Sequence, residues 1–241
     1  HILYMSKRAI RRGEELTVFR QVRQLLERSP RVLIGAGAGL SVAAGIDYGD
    51  QESFARLFPA MVRRGFSARY QLIGYRGLSP AAFGGYWATH VHDVRFTERQ
   101  ALVYRLLRQL VGEKDCFVLT SNVDAMFGRH GFDETKTFTP QGDYAAMQCM
   151  TQGAPSCAER VWPSRPVIER LLRSTDSVTQ EVHDCGLLPL CPTCGGEVFL
   201  NVRLNDAFVE TPYVEQARCA RGPGQPGQLP FRGGGRRGLN G

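Results

Sequence analysis

Three groups of side chains in this sequence have types and spacings that could do chemistry. The first is a set of cysteines. In "CPTCGG", Cys191 and Cys194 have the two-residue gap and trailing glycines of a turn that presents two thiolates to zinc. A closed structural zinc site takes four such ligands. Cys149 and Cys157 lie upstream and would complete the set, with Cys185 able to replace either of them. Buried or free thiols are the competing reading. The second group is "GAGAGLS", residues 35–41, placed between an apolar run and a helix-compatible run. Glycines there let backbone N–H groups approach a phosphate at a helix start. A glycine-rich turn with no ligand is the alternative. The third group is "TSNVD", where Asn122 and Asp124 follow the apolar run "CFVL". They could face a ligand, or Asn122 could cap a helix with Asp124 in its first turn.

These groups need elements to position them. An amphipathic helix is predicted over residues 8–28, with Leu16, Phe19, Val22, Leu25 and Leu26 at three- and four-residue steps. "VLI" predicts a short buried strand, and "LSVAAGI" can open a helix after the glycine turn. Residues 47–92 are rich in aromatics and glycine and predict short helices and loops, forming a lid. A helix is expected over residues 98–110, a second buried strand at "CFVLTSN", and a helix over residues 161–173. "GLLPLCPTCGGEVFLNVRL" reads as a knuckle running into a strand. Strand, helix, strand with ligand-type residues at strand ends predicts an α/β fold with a doubly wound parallel sheet. Ligands of such sheets bind beyond the carboxyl ends of the strands.

Composition sets bounds. Hydrophobic residues make up 43% of 241, enough for a sizeable core. No apolar run approaches the ~20 residues of a membrane span. The basic start is not followed by an apolar segment of signal-peptide type. An odd count of seven cysteines argues against a disulfide framework and for a reducing, cytoplasmic setting. Much of the net charge of +7 sits in residues 211–241, which hold five arginines and one acid, so a nucleic-acid footprint over the whole surface is not supported. The Gly/Pro/Arg-rich segment from residue 216 predicts a disordered tail, solvated or RNA-binding.

Taken in order, "GAGAGLSVAAGID", "TSNVDAMF", "PQGDY" and "CPTCGG" resemble the motifs of the sirtuins. "GIDYGD", "TPQGDY" and "NVRLNDAFVE" narrow the resemblance to the class M branch, found beside macrodomains and a lipoyl carrier protein. It covers roughly residues 18–210. The resemblance implies a Rossmann-like domain with a small zinc-ribbon-like module and NAD in the cleft between them. In this sequence it assigns Gly37, Ala38, Gly39, Ser41, Asp47 and Tyr48 to cofactor binding. It gives Asn122 the nicotinamide ribose and Asp124 the carboxamide, and makes Asn122, Asp124 and Gln141 the catalytic set. It implies zinc on Cys149, Cys157, Cys191 and Cys194. The corresponding division is residues 1–145 (first part of the NAD-binding domain), 146–204 (zinc module), 205–215 (return segment) and 216–241 (tail). The second half of the family's sheet is not visible in the sequence, and the expectation is a truncated or shifted reading frame from about residue 216.

Two departures from the family pattern shape the expected reaction. Gly49 and Asp50 stand where ordinary sirtuins carry Phe and Arg, and Gln141 stands where they carry a histidine base. An amide does not titrate, and losing a positioned base costs ~100- to 10,000-fold. Cleavage of the nicotinamide bond needs no protein base. Polar groups can stabilise the developing charge by position and dipole. The reading is therefore mono-ADP-ribosyl transfer to a lipoylated carrier protein, with a macrodomain protein as functional partner. An NAD-dependent deacylase and a non-catalytic NAD or ADP-ribose binding module are the alternatives.

Overall fold

The structure is a computed structural model and describes residues 12–213 and residue 216. Strand β1 (Arg31–Ala36) follows helix α1 (Arg12–Arg28) and leads into helix α2 (Ala38–Ala43). Helices α3 (Gln51–Leu57), α4 (Pro59–Arg63), α5 (Pro80–Val91) and α6 (Leu102–Val111) precede strand β2 (Asp115–Thr120). Helix α7 (Met126–Arg129) and strand β3 (Thr137–Phe138) follow, then β4 (Gly142–Cys149), β5 (Val161–Pro163), helix α8 (Arg165–Arg173) and β6 (Val198–Val202).

The strands form two sheets. The first is parallel, with order β1-β2-β3 and register Arg31↔Asp115 to Ala36↔Thr120 between its first two strands. The second is antiparallel, with order β5-β4-β6. The fold is thus mixed α/β with a parallel sheet of three described strands. Among the described residues no helix is long and apolar enough to cross a membrane.

Several expectations need correction. The "VLI" strand forms, yet none of its residues is buried. Leu33 is 70% exposed, because β1 is an edge strand among the described residues and nothing covers the face that Leu33 shares with Leu119. The opposite face is the packed one, where Val118 is 1% exposed. In α1, Val22 and Leu26 are partly buried while Phe19 and Leu25 point outward. The expected helix over residues 161–173 is two elements. Val161–Pro163 pairs with Ala146–Gln148, and the helix starts only at Arg165. The cause is β4, an unforeseen strand whose edge takes up residues 161–163. The helix expected over residues 98–110 begins at Leu102, after a wide turn at residues 92–96. Residues 47–92 form short helices as expected, and they also supply core side chains: Phe54, Phe58, Met61, Leu72 and Tyr86 are at most 2% exposed. The N-terminal start of the predicted first helix and nearly all of the predicted tail lie outside the described residues.

Candidate functional site

The two motif loops meet at the carboxyl ends of β1 and β2. Ser41 Oγ donates to Asp124 Oδ2 at 2.6 Å, and Asn122 Nδ2 donates to the Gly37 carbonyl at 3.0 Å. All three polar side chains are buried or nearly so: Ser41 7%, Asn122 8% and Asp124 3% exposed. The register explains the meeting. Ala36 pairs with Thr120, so both chains leave the sheet side by side. Asn122 is oriented further by its own N–H, which donates to Thr120 Oγ1 at 3.1 Å. Asp124 Oδ1 accepts from Met126 N at 3.0 Å, fastening a turn in which Ala125 takes φ +53.

The glycine loop leaves room for a ligand. A Cβ at Gly39 would meet nothing within 4 Å, and one at Gly37 would meet only Ser121 Oγ at 3.5 Å. Beside the loop lies Tyr104 of α6, which the sequence reading passed over. Its buried hydroxyl has no hydrogen-bond partner of good geometry. Burial first, then the Asp124 charge, push it above the usual tyrosine range. An open glycine turn beside the Tyr104 hydroxyl, Asn122 and Ser41 fits a polar ligand rich in hydroxyls and phosphate.

Asp47, Tyr48 and Gln141 occupy different places. Asp47 Oδ1 accepts from Gly49 N at 2.7 Å and so closes its own turn. Asp50 caps α3, accepting from Glu52 N at 3.0 Å and Ser53 N at 3.3 Å. The departure at residues 49–50 is therefore a turn and a helix cap here. Tyr48 reaches across to the second sheet, its hydroxyl 3.3 Å from that of Tyr144, which lies 3.3 Å from His90 Nε2. Burial holds Tyr48 well above the usual tyrosine range and pushes Tyr144 up to about 12. Gln141 is exposed in the turn before β4. Its carbonyl accepts from Arg203 N at 3.0 Å, and Arg203 Nε donates to the Pro140 carbonyl at 3.1 Å. The turn requires Gly142, at φ +92, where a Cβ would stand 2.1 Å from the Asn201 carbonyl. The strand is tied to the Asn122 loop by Tyr144 N donating to Val123 O at 3.2 Å. Arg203 falls in the "NVRLNDAFVE" stretch, but its part as a brace was not read from the sequence.

The histidines nearby are committed elsewhere. His130 Nδ1 donates to the Met126 carbonyl at 2.8 Å, and Nε2 accepts from Ala101 N at 3.1 Å, so both ring nitrogens are taken up by backbone. His90 is fully buried; burial, then the charge of Arg69, hold it well below the usual histidine range.

The four predicted cysteines come together. Cys149, Cys157, Cys191 and Cys194 place their sulfurs within 4.8 Å of one another, with Cys149–Cys194 at 3.6 Å and Cys157–Cys191 at 3.7 Å. A zinc tetrahedron with bonds of ~2.3 Å has edges of about 3.8 Å, so the donor set fits. The knuckle is closed by Gly195 N donating to Cys191 O and Cys191 N to Gly196 O, both at 2.8 Å, with Gly195 at φ +71. Backbone N–H groups of Cys194 and then Thr193 draw the Cys191 thiol down to about 6, and that of Gly196 lowers Cys194. Cys185, the proposed substitute, is exposed and outside the cluster.

No family model matches the chain. It is 33% identical over 198 residues to a probable bifunctional ADP-ribose hydrolase/ADP-ribosyltransferase of Fusarium oxysporum f. sp. cubense, covering 80% of this chain and 32% of that protein. It is 24% identical over 188 residues to a protein ADP-ribosyltransferase of Staphylococcus aureus, covering 76% and 56% respectively. The chain thus spans about a third and just over half of these two relatives. Among solved structures it is similar to one concerned with sirtuin substrate affinity, at 19% identity and TM-score 0.38, over 76% of this chain and 62% of that one. A second, concerned with the mechanism and regulation of Sir2 enzymes, gives 16% identity and TM-score 0.46, over 76% and 63%. In sequence the chain is similar to proteins named for ADP-ribosyl transfer, and in backbone to sirtuins.

Proposed function

We propose that this chain is the NAD-binding and zinc-bearing portion of a sirtuin-type protein mono-ADP-ribosyltransferase. The observation that carries the reading is the paired contact Ser41–Asp124 and Asn122–Gly37, which joins both motif loops into one buried polar site with an open glycine turn. The names of the two sequence relatives support it. NAD supplies the ADP-ribosyl group and nicotinamide as the leaving group. The glycine turn would receive the phosphates, with Ser41 beside them. Asn122 would orient the ribose through an amide already fixed by Gly37. Asp124, anchored by Ser41 and Met126 N, would accept from the carboxamide. Gln141, in its braced turn, would hold hydroxyls without moving a proton.

The Cys149, Cys157, Cys191 and Cys194 set would hold zinc as a closed structural site, leaving no open position for chemistry. In the proposed domain division, the Gln141 turn lies at the end of the NAD-binding part, residues 1–145, just before this module. As acceptor we propose a lipoylated carrier protein. A macrodomain-type hydrolase would be the functional partner, in keeping with the two activities joined in the Fusarium protein's name.

The test is incubation with NAD labelled in the adenylate, a lipoylated and an unlipoylated carrier protein, and an acetyl-lysine peptide. Label on the lipoylated carrier supports transfer. Peptide deacetylation without label on protein would replace this reading with the deacylase. Tight ADP-ribose binding with neither product would replace it with the binding module.

A further inference from the structure

The Gln141 turn is set by parts of the chain that lie far from both motif loops in sequence. Regular sheet pairing stops short of it. β4 and β6 pair in register from Cys149↔Val198 to Met147↔Leu200, and the register shifts before the next pair, Gly142↔Val202. Within the turn Gly142 N donates to Thr139 O at 3.0 Å. Two further bonds come from one residue. Arg203 N donates to Gln141 O at 3.0 Å, and Arg203 Nε donates to Pro140 O at 3.1 Å. Among the described residues no other side chain hydrogen-bonds residues 139–142.

Arg203 is itself held on two sides. Its Nη2 donates to Glu210 Oε1, and its guanidinium lies 4.4 Å from the centre of the Phe208 ring. Phe208 also stands against the turn: a Cβ at Gly142 would come within 3.1 Å of Phe208 Cε2. The segment carrying Phe208 and Glu210 is fastened by a buried amide network. Asn201 Nδ2 donates to Gln148 Oε1 at 2.5 Å and to Val209 O at 3.1 Å. Val209 N donates to Gln148 Oε1 at 2.9 Å, Gln148 Nε2 to Ala207 O at 2.7 Å, and Tyr213 Oη to Asn201 Oδ1 at 2.6 Å. Gln148 and Asn201 are fully buried. Each of these bonds, if unmade, would orphan a buried polar group, so the network enforces one arrangement. Residues 205–213 are thus a strap seated on β4 and β6, and Arg203 links the strap to the turn.

We propose that Arg203 is a positioning residue: with the strap behind it, it fixes the backbone from which Gln141 meets the ribosyl hydroxyls. This rests on the transferase reading, in which Gln141 acts by position and moves no proton. A group that acts by position is sensitive to placement, and a displacement of ~1 Å costs up to about 100-fold in rate. The Arg203–Glu210 pair is half-exposed, and such pairs add little to stability. Its consequence is therefore placement more than folding.

The test uses the whole chain and Arg203→Met, which keeps a stem of similar length and removes the side-chain donors. The first reading is amide hydrogen exchange over residues 139–144. Arg203→Met should speed it about tenfold, the worth of one hydrogen bond, with the thermal midpoint within about 2 °C of wild type. The second reading is nicotinamide release from NAD. Its kcat should fall about tenfold while KM stays within about twofold. Gln141→Ala should slow release further, and the double variant should be no slower than Gln141→Ala, because a positioning residue adds nothing once the group it positions is gone. Unchanged exchange in Arg203→Met would overturn the proposal whether or not the chain turns over NAD. So would additive losses in the double variant, or a normal kcat in Arg203→Met beside a slowed Gln141→Ala; in both cases the transferase reading stands. Slowed release in Arg203→Met with normal release in Gln141→Ala would overturn both the proposal and the role of Gln141. If Arg203→Met does not fold, Glu210→Gln loosens the same guanidinium and is judged by the same readings.

Discussion

Ser41 Oγ donates to Asp124 Oδ2 at 2.6 Å, joining two residues 83 positions apart in the chain. One lies in α2, after β1, and the other follows β2. The bond makes the glycine loop and the Asn122 loop one object. Ser41→Ala removes a partner from a buried carboxylate. It should cost about 1–3 kcal/mol, since an unsatisfied buried acceptor bears its full desolvation penalty. Urea unfolding measures this, and a loss below the scatter of the measurement would show the pair to be dispensable.

Asn122→Ala should act on both chemistry and structure. Nicotinamide release should fall about 100-fold, the usual loss for one preorganised polar contact to developing charge. Because Asn122 also donates to the Gly37 carbonyl, stability should drop by about 1 kcal/mol. Its place is thus less separable from the fold than a strand-end residue read from sequence alone. A normal release rate with only the stability loss would make Asn122 a purely structural residue.

The glycines divide by what surrounds them. Gly39 faces open space inside α2, so Gly39→Val should leave the melting temperature within a few degrees and abolish calorimetric binding of ADP-ribose. Gly142→Ala should do the reverse. Its Cβ would collide with the Asn201 carbonyl at a positive φ, destabilising the chain by more than about 1 kcal/mol. Undiminished ADP-ribose binding by Gly39→Val would remove the glycine turn from the site.

Zinc should be present at about one per chain, and Cys191→Ser should lose it. The Cys191 thiol is drawn down to about 6 from an ordinary value of 9.0. In the metal-free chain a depressed group stabilises the fold fully above pH 9.0 and loses that contribution as pH falls through about 6. Zinc retention should fall in the same direction, because protons compete for thiolates. Metal analysis after dialysis at stepped pH checks this; better retention in acid would contradict the thiolate assignment.

Nicotinamide release should be nearly flat with pH across the histidine range. Gln141 does not titrate, and burial, then the charge of Arg69, hold His90 well below the usual histidine range. A tenfold rise per pH unit, levelling off near the usual histidine value of ~6.5, would reveal a base. Gln141→His should not create a deacetylase, because Asp47 and Asp50 commit the preceding loop to a turn and a helix cap.

The candidate site residues were legible because their signals are local. A two-residue gap between Cys191 and Cys194 and a glycine turn after an apolar run each report a short-range geometry. The parallel pairing of β1 and β2 followed from apolar runs separated by helical ones. What the sequence could not show depended on distant partners. β4 is a strand because β5 and β6 flank it, and residues 161–163 leave the expected helix because that edge offers a ladder. Leu33 has the type of a buried strand residue, yet its exposure is set by which layers lie on the sheet. Tyr104 and Arg69 carry no motif, and the motif that contains Arg203 does not mark its role. Their roles arise because the fold brings Arg203 to the Gln141 turn, Tyr104 against Asp124, and Arg69 into an aromatic interior where it pairs with Asp93. Residue type and spacing fixed which groups could react; long-range packing decided which of them meet, and how much water and charge surround them.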